Sequence, residues 1–226
     1  MRIRLFVRRR QSFITDMVFM ASSSVCLMGL IFFIEKQQNQ EVAMRIKEQK
    51  YLLPDGREVT IKSAGPEDAM KVKLLREASA AETHFMAREP EDGPFYLERV
   101  KEILGSMSES DREFMVSAYI GDELIGDLGV TLIRPHVKYL HRAYLGMSIR
   151  LKYTGMGLGS FMMQVALEQA KANGFEQVEL GVYSDNDRAR HMYKKMGFKE
   201  YGMNPRAFKL KDGTYRDEII MANIFE

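Results

Sequence analysis

Apolar positions between residues 58 and 225 follow two spacings, one typical of β-strands and the other typical of α-helices. Alternation of apolar and polar side chains predicts seven strands, because successive side chains of a strand point to opposite faces of the sheet. The strands are predicted around Val59 and Ile61, over 115–120 and 124–133, through Ala143, Leu145, Met147 and Ile149, through Val178, Leu180 and Val182, and as a hairpin between Phe198 and Phe225 with Gly213 at its turn.

Four other segments carry apolar residues three and four positions apart, which predicts amphipathic helices. Pro66 opens the first helix, which runs to about Ala81 and is followed by a loop over 82–94. The other three stripes are Phe95, Val100, Ile103 and Leu104; Leu158, Phe161, Met162, Val165 and Ala166; and Ala189, Met192, Tyr193 and Met196. Strands and helices in this order predict a mixed α/β domain with one central sheet.

Composition indicates one domain preceded by an N-terminal extension. The chain has 226 residues, of which 46% are hydrophobic, and a formal net charge of +2. Residues 1–43 hold six Lys/Arg against three acidic residues, so the remainder, with 27 basic and 28 acidic residues, is close to neutral. It lacks the basic excess of a nucleic-acid-binding protein. Cys26 is the only cysteine of the chain, which excludes an intrachain disulfide and a thiolate metal cluster, and no metal site is predicted.

A glycine-rich segment over 149–160, Ile-Arg-Leu-Lys-Tyr-Thr-Gly-Met-Gly-Leu-Gly-Ser, lies between a predicted strand and a predicted helix. Its glycines lack Cβ atoms, so a ligand can approach the backbone. Free N–H groups at a helix start bind anions, and a pyrophosphate fits this role. The dinucleotide fingerprint G-x-G-x-x-G fails at Ser160, and a Walker A loop would need Gly-Lys-Ser/Thr. A tight turn without a ligand is the remaining alternative.

A second motif over 186–198 reads Asn-Asp-Arg-Ala-Arg-His-Met-Tyr-Lys-Lys-Met-Gly-Phe. In this order and spacing, the two motifs resemble those of the GNAT superfamily of N-acetyltransferases, which are Q/R-x-x-G-x-G/A and N-x-x-A-x-x-x-Y-x-K-x-G-F. The segment 216–221, Arg-Asp-Glu-Ile-Ile-Met, is similar to the last strand of the family. The resemblance implies a GNAT fold over 57–226, after an extension over 1–50. That fold is α/β, with a mixed, mostly antiparallel sheet of about seven strands flanked by four helices.

The resemblance also implies acetyl-CoA as co-substrate and gives roles to individual residues. Tyr193 is implied to be catalytic, because a phenol can protonate the departing thiolate, and Asn186 is implied to contact the cofactor through its amide. The other implied cofactor-binding residues are the strand backbone at Met147, Ser148 and Ile149 and the turn amides of Thr154, Gly155, Met156, Gly157, Leu158, Gly159 and Ser160. From spacing alone, Tyr193 is a core tyrosine and Asn186 a helix N-cap, and both interpretations stay open. The Lys194-Lys195 pair is interpreted as a solvated face, with contact to a phosphate as the alternative.

Two positions depart from the family pattern. Thr154 stands at the Q/R position, which removes a side-chain contact to a phosphate but leaves the backbone amides in place. Tyr144 stands where many relatives carry a glutamate as general base, so no base is evident. His141, Asp127 and Glu82 are the candidates, and a water relay or an amine that arrives neutral would also serve.

The predicted activity is transfer of an acetyl group from acetyl-CoA to a primary amine of a small molecule or a protein, by direct attack in a ternary complex. Backbone N–H groups of the fourth strand would stabilise the oxyanion, and positioning of the two substrates would supply most of the rate. The loop over 82–94, the second helix and the last hairpin are expected to select the acceptor. A non-catalytic acetyl-CoA sensor and a donor with a longer acyl chain are alternatives. A homodimer is compatible with the sequence, and nucleic acid is not a predicted partner.

The N-terminal extension contains 18 residues without a charge over 17–34, at the lower limit for a membrane-spanning helix. Five arginines precede it, a bias that would hold the N-terminus in the cytoplasm and place the domain outside, away from acetyl-CoA. An anchor inserted against this bias, a signal peptide without a clear cleavage site, and translation from Met44 are the three resolutions. The catalytic domain is predicted to be cytoplasmic, with membrane contact through 17–34 if that segment is translated.

Overall fold

A computed structural model describes residues 46–226. The apolar segment 17–34 and the interpretations placed on it lie outside the described residues. Within 46–226, no helix is both long enough and apolar enough to cross a membrane.

One mixed sheet organises the described residues. Its strands are β1 (Gln49–Leu52), β2 (Glu58–Lys62), β3 (Phe114–Ile120), β4 (Glu123–Leu132), β5 (Arg142–Ile149), β6 (Gln177–Tyr183), β7 (Lys199–Lys209) and β8 (Tyr215–Ile224). Their order across the sheet is β1-β2-β3-β4-β5-β6-β8-β7. Every neighbouring pair is antiparallel except β5 and β6, which are parallel. The prediction of a mostly antiparallel sheet is confirmed, with eight strands in place of about seven.

Four helices cover the two faces of the sheet, as predicted. They are α1 (Ala69–Glu82), α2 (Leu97–Glu109), α3 (Leu158–Ala172) and α4 (Asp187–Lys195). Pro66 begins a single 3-10 turn, Pro66–Asp68, so the first α-helix starts three residues later than predicted. Apolar side chains of α1 and α2 pack in one core on the sheet, and those of α3 and α4 pack in a second core.

Strand β3 shows how a single strand serves both cores. Its side chains at Met115 and Tyr119 belong to the core under α1 and α2, whereas Val116 and Ala118 belong to the core under α3 and α4. Because both faces are covered, this strand is apolar at almost every position. Full burial of one large apolar side chain, such as Leu104 at 0% exposure, contributes about 1.5–3 kcal/mol.

The strand missing from the prediction is β1, a four-residue edge strand in which half-buried and exposed positions alternate. Such a strand is too short to show a period of two. Its aromatic residue Tyr51 stacks on Phe161 of α3 with ring centroids 4.9 Å apart. The Tyr51 hydroxyl donates a hydrogen bond to the Met156 carbonyl (2.9 Å). This edge strand therefore supports the glycine-rich turn that precedes α3.

Strands β5 and β6 separate soon after they begin. Within the described chain their parallel pairing covers three register pairs and ends at Tyr144 and Glu179. Beyond that point β5 stays paired with β4 as far as Ile149, and β6 stays paired with β8 as far as Tyr183. The sheet therefore opens into a V between its two halves.

A buried ion pair holds the sheet together at the point where the V begins. Glu179, 5% exposed, accepts two hydrogen bonds from the Arg142 guanidinium, at 2.5 and 2.9 Å. The Tyr201 hydroxyl and the Gln177 side-chain amide each donate another at 2.8 Å. Burial alone would raise the pKa of Glu179, but these donors outweigh it, so the pKa lies below the ordinary value of 4.5.

We expect Glu179→Gln to lower the free energy of unfolding by about 3 kcal/mol, because it leaves the Arg142 charge without its buried partner. Urea unfolding monitored by circular dichroism measures this change. Glu102→Gln is the matched control, since it removes an ion pair to Arg99 in which both side chains are more than half exposed, and it should change stability by less than about 0.5 kcal/mol. The folded pKa of Glu179 is lowered, so its contribution is complete above about pH 4.5 and is lost as the pH falls through the folded pKa. Equal stability losses in the two variants would contradict the prediction.

Candidate active site

A cleft of about 1000 Å³ occupies the V between β5 and β6. One end is lined by the turn before α3 and by α4, and the other by the loop after α1, by α2 and by β8. The cleft brings together most of the residues singled out from the sequence. They are Met147, Ser148, Ile149, Thr154, Gly155, Gly157, Gly159, Ser160, Asn186 and Tyr193. Leu158 is fully buried, and the Met156 side chain packs on the core, so these two offer only backbone groups to a ligand.

The turn before α3 presents free amides to the cleft. Gly157 is the N-cap of α3 with φ of 82°, a left-handed conformation that favours glycine. A Cβ atom there would also collide with the Tyr51 hydroxyl. The amides of 158–160 form the first turn of a 15-residue helix and have no acceptor among the described residues. Together with the positive end of the helix dipole, they form an anion-binding site.

Arg188 adds a fixed positive charge to this turn, and the sequence analysis did not single it out. Its guanidinium donates a hydrogen bond to the Thr154 hydroxyl (2.9 Å), which itself donates to the Leu151 carbonyl (2.7 Å). The position at which relatives carry Gln or Arg thus holds a threonine that supports an arginine from α4. Its position inside the second motif, two residues after Asn186, was the signal available in the sequence.

The basic residues of α4 divide between two surfaces. His191 and Lys195 follow Arg188 at helical spacing and line the cleft with it. Lys194 points elsewhere and pairs with Glu200 at 3.0 Å. Both lysines are exposed, as a solvated face requires, and Lys195 also lines the cleft, where it could meet a phosphate.

The open edge of β5 runs along the wall of the cleft. Its backbone beyond Tyr144 has no strand partner on the β6 side within the described chain. The side chains of Met147 and Ile149 pack on the core. Ser148 is 5% exposed, and its hydroxyl has no hydrogen-bond partner among the described residues. An unpaired strand edge offers N–H and C=O groups to an extended ligand that bears amides.

Asn186 and Tyr193 each serve the fold while facing the cleft. The Asn186 side chain accepts a hydrogen bond from the Ala189 amide (3.2 Å), which makes it the N-cap of α4. Tyr193 is 8% exposed and packs against Phe198 in the core. Burial raises the pKa of Tyr193 to about 12, so its phenol stays protonated at neutral pH and can donate a proton.

The three candidate bases lie in different settings. Glu82 lines the cleft, but it accepts hydrogen bonds from Arg150 (2.8 Å) and from the Leu151 amide (2.7 Å). Burial alone would raise the pKa of Glu82, and these two donors lower it below its ordinary value. Asp127 is buried and pairs with Arg76 at 3.0 Å; burial raises the pKa of its carboxyl. His141 is outside the set of residues that line the cleft.

The far end of the cleft is aromatic and carries one carboxylate that the sequence analysis missed. Tyr183 stacks on Phe208 with ring centroids 3.8 Å apart, and Phe85 meets Tyr183 edge-on at 5.8 Å. Glu218 of β8 lies opposite Tyr183 in the sheet and lines the same cavity. The Tyr144 hydroxyl, at the place of the family glutamate, accepts a hydrogen bond from the Gly181 amide (3.3 Å).

Comparison with known proteins agrees with this architecture. An acetyltransferase of the GNAT family from Streptococcus pneumoniae superposes with a TM-score of 0.70 at 24% identity, over 74% of this chain and 99% of that one. A ribosomal-protein-alanine N-acetyltransferase from Brucella melitensis gives 0.65 at 18% identity, over 73% and 99%. A phosphinothricin acetyltransferase from Sinorhizobium meliloti, in complex with acetyl-CoA, gives 0.66 at 15% identity, over 74% and 88%.

The sequence model of the acetyltransferase (GNAT) family matches residues 75–198, which is more than half of the chain and includes both motifs. The chain belongs to the GNAT acetyltransferase family.

Proposed function

We propose that this chain is an N-acetyltransferase that moves the acetyl group of acetyl-CoA to a primary amine by direct attack in a ternary complex. The observation that carries the proposal is that three complementary groups line one cleft. They are a turn with free amides, an open strand edge and a buried protonated phenol. Acetyl-CoA carries a matching diphosphate, an extended arm with two amides and a thioester.

The residues present fit this co-substrate. The amides of 158–160 and the Arg188 guanidinium would hold the diphosphate, because both are hydrogen-bond donors with positive charge or partial charge. The backbone of Met147 and Ile149 would hold the arm as if it were an added strand. Acetyl-CoA supplies the activated carbonyl when bound. These assignments follow the family resemblance, and the cleft geometry supports them.

The chain would promote the reaction by positioning and by polar stabilisation. A backbone N–H on the open edge of β5 can donate to the carbonyl oxygen, which becomes negative during attack. Tyr193 can donate its proton to the sulfur as the C–S bond breaks, since its phenol is protonated at neutral pH. The V between the strands would hold the two substrates side by side, which lowers the entropic barrier.

Acetyl-CoA binding and turnover test the proposal together. Calorimetry should give measurable affinity for CoA, and thiol release from acetyl-CoA should accelerate with at least one member of a primary amine panel. Affinity without turnover on any amine would favour a non-catalytic acetyl-CoA sensor. If thiol release is faster from acyl-CoAs with longer chains than from acetyl-CoA, the donor is one of those longer acyl-CoAs. A protein without affinity for CoA would overturn the proposal.

Removal of the Tyr193 hydroxyl should slow the chemical step and spare binding. We expect Tyr193→Phe to lower kcat about 10²- to 10³-fold, because the thiolate loses its proton donor, with CoA affinity within about twofold of the wild type. Stopped-flow thiol release and calorimetry measure the two quantities. Tyr139→Phe, outside the cleft, is the matched control and should behave as the wild type. If Tyr193→Phe keeps the kcat of the wild type, Tyr193 serves only the packing of the core and is not the proton donor.

Arg188→Gln should weaken binding of the diphosphate and leave binding of the rest of the co-substrate unchanged. We expect about tenfold lower affinity for acetyl-CoA, since one charge-assisted contact contributes about 1.4 kcal/mol or more. Affinity for acetyl-pantetheine, which lacks the diphosphate, should not change. Lys194→Gln removes the same charge from the other surface of α4 and serves as the control. Equal effects of Arg188→Gln on both ligands would contradict the assigned contact.

A further inference from the structure

Three carboxylates line the cleft, and one of them lacks a cation. Glu82 is held by Arg150, and Asp127 is held by Arg76. The Glu218 carboxylate has neither a hydrogen bond nor an ion pair with any of residues 46–226. A carboxylate on the wall of a cavity gives up part of its hydration, and this cost is recovered when a cation binds there.

The fold holds the Glu218 carboxylate in the cavity by local packing. On β8 it lies opposite Tyr183 of β6 and opposite Asn204 of β7. Its side chain lies directly over Gly181, where any Cβ atom would collide with the carboxylate. A glycine at 181 thus leaves the space that the charge occupies, at a position where β6 has already parted from β5.

The acidic neighbours of Glu218 have partners of their own. Asp217 accepts a hydrogen bond from the Arg206 backbone amide (2.7 Å), and Asp185 accepts one from the Arg216 guanidinium (2.7 Å). Glu89 shares Lys211 with Glu91, at 3.2 and 2.9 Å. This part of the protein therefore keeps an excess of negative charge, and Glu218 is the carboxylate that lines the cavity without a partner among the described residues.

The titratable groups that face Glu218 are two tyrosines. Burial raises the pKa of Tyr144 and that of Tyr183. The Glu218 charge raises both further, and the charges of Glu89 and Asp185 also raise that of Tyr183. Neither phenol is ionised near neutral pH, so neither repels the carboxylate. Burial also raises the pKa of Tyr193, so all three phenols stay protonated at neutral pH.

Apolar side chains line the same cavity as the carboxylate. The stacked rings of Tyr183 and Phe208 and the edge of Phe85 form one wall, and Met86 and Met107 extend it. The nearby cation Arg88 is occupied, since it donates to the carbonyls of Asp92 and Gly93 and lies over the Phe95 ring. The cavity thus offers one negative charge inside an aromatic wall, which suits an ammonium group on an apolar body.

We propose that Glu218 binds the ammonium group of the acceptor, a primary amine on an aromatic or apolar body, and acts as its general base. This inference rests on the proposed acetyltransferase function and names the acceptor class for it. Glu218 occupies the role left open by Tyr144, from a different strand and across the V.

The proton balance is complete with groups of this chain. The Glu218 carboxylate takes one proton from the ammonium and passes it to solvent. The neutral nitrogen then forms a bond to the thioester carbon, the C–S bond breaks, and the sulfur takes a proton from the Tyr193 hydroxyl. The second proton lost by the nitrogen restores Tyr193, so the products are an amide, a free thiol and one proton.

Binding of a probe amine tests the subsite without turnover. The probe is 2-phenylethylamine, and 2-phenylethanol is its uncharged counterpart of the same shape. Calorimetry at pH 7.5 should show the wild type preferring the amine at least tenfold, and Glu218→Gln should abolish the preference. Glu168→Gln, an exposed acid on α3 outside the cleft, is the matched control and should retain it. A wild type without preference, or a Glu218→Gln variant that keeps it, would overturn the proposal.

The pH dependence of acetyl transfer to the same probe tests the base. In the wild type kcat/KM should be nearly independent of pH around neutrality, because the carboxylate removes the proton of the bound ammonium. In Glu218→Gln it should fall at least 100-fold at pH 7 and rise tenfold per pH unit towards the pKa of the amine. If the pH profiles of kcat/KM for the wild type and Glu218→Gln run parallel, Glu218 is not the general base. If Glu218→Gln fails to fold, Glu218→Asp replaces it in the test. This variant moves the carboxylate back by one methylene and should lower kcat/KM at least tenfold. A Glu218→Asp variant with the kcat/KM of the wild type would overturn the proposal.

Failure of the proposed function has a separate signature. If the wild type lacks CoA affinity but prefers 2-phenylethylamine to 2-phenylethanol through Glu218, the subsite stands as an ammonium-binding site and the transferase function falls. If the wild type binds CoA and acetylates other amines while Glu218→Gln matches it on every one, the transferase stands and the subsite falls.

Discussion

The parting of β5 from β6 is the constraint on which the rest of the site depends. Parallel strands normally satisfy each other's backbone groups along their whole length, yet here the pairing covers three register pairs. Each strand then follows its antiparallel partner, β4 or β8, and the two halves of the sheet diverge. The cost is a stretch of unpaired backbone, and the gain is a cavity in which a ligand can take the place of a strand.

Two sets of contacts hold the shape of this opening, one where the strands separate and one at the turn before α3. At its base, Glu179 gathers donors from three strands and fixes where the divergence begins. At the turn before α3, Gly157 and Tyr51 fit closely together, and the Tyr51 hydroxyl holds the Met156 carbonyl. The edge strand β1 therefore acts on the candidate site from behind, through a stacked ring and one hydrogen bond, although it contributes no lining residue.

The charges of the cleft are segregated, and this polarity suits the proposed substrates. Arg188 and Lys195 lie on α4, beside the turn assigned to phosphates, whereas Glu218 lies on β8 beside the aromatic side chains. Between them, the buried Tyr193 retains its proton, because its pKa is raised to about 12. An anionic co-substrate and a cationic acceptor would thus be drawn to opposite ends of one cavity and would meet at the phenol.

The sequence by itself determined the sheet and the four helices, because periods of two and of three to four record which side chains face a core. It also predicted a glycine-rich turn between a strand and a helix, and the structure has that turn directly before α3. It missed β1, since four residues at a sheet edge are too few to show a period. It could not choose between core and cleft for Tyr193, because helical spacing reports only that one face is apolar, and the structure places the residue in both.

Only the tertiary structure decided which charges are free. Glu82, Asp127 and Glu218 look alike in the sequence, and their difference lies in partners that are 68 and 51 residues away for the first two and absent from the described chain for the third. The position of Arg188 likewise depends on a distant residue, because its guanidinium donates a hydrogen bond to Thr154, which is 34 residues earlier. Neutralisation of a charge depends on distances of a few ångströms between distant segments, and no local pattern of residues encodes those distances.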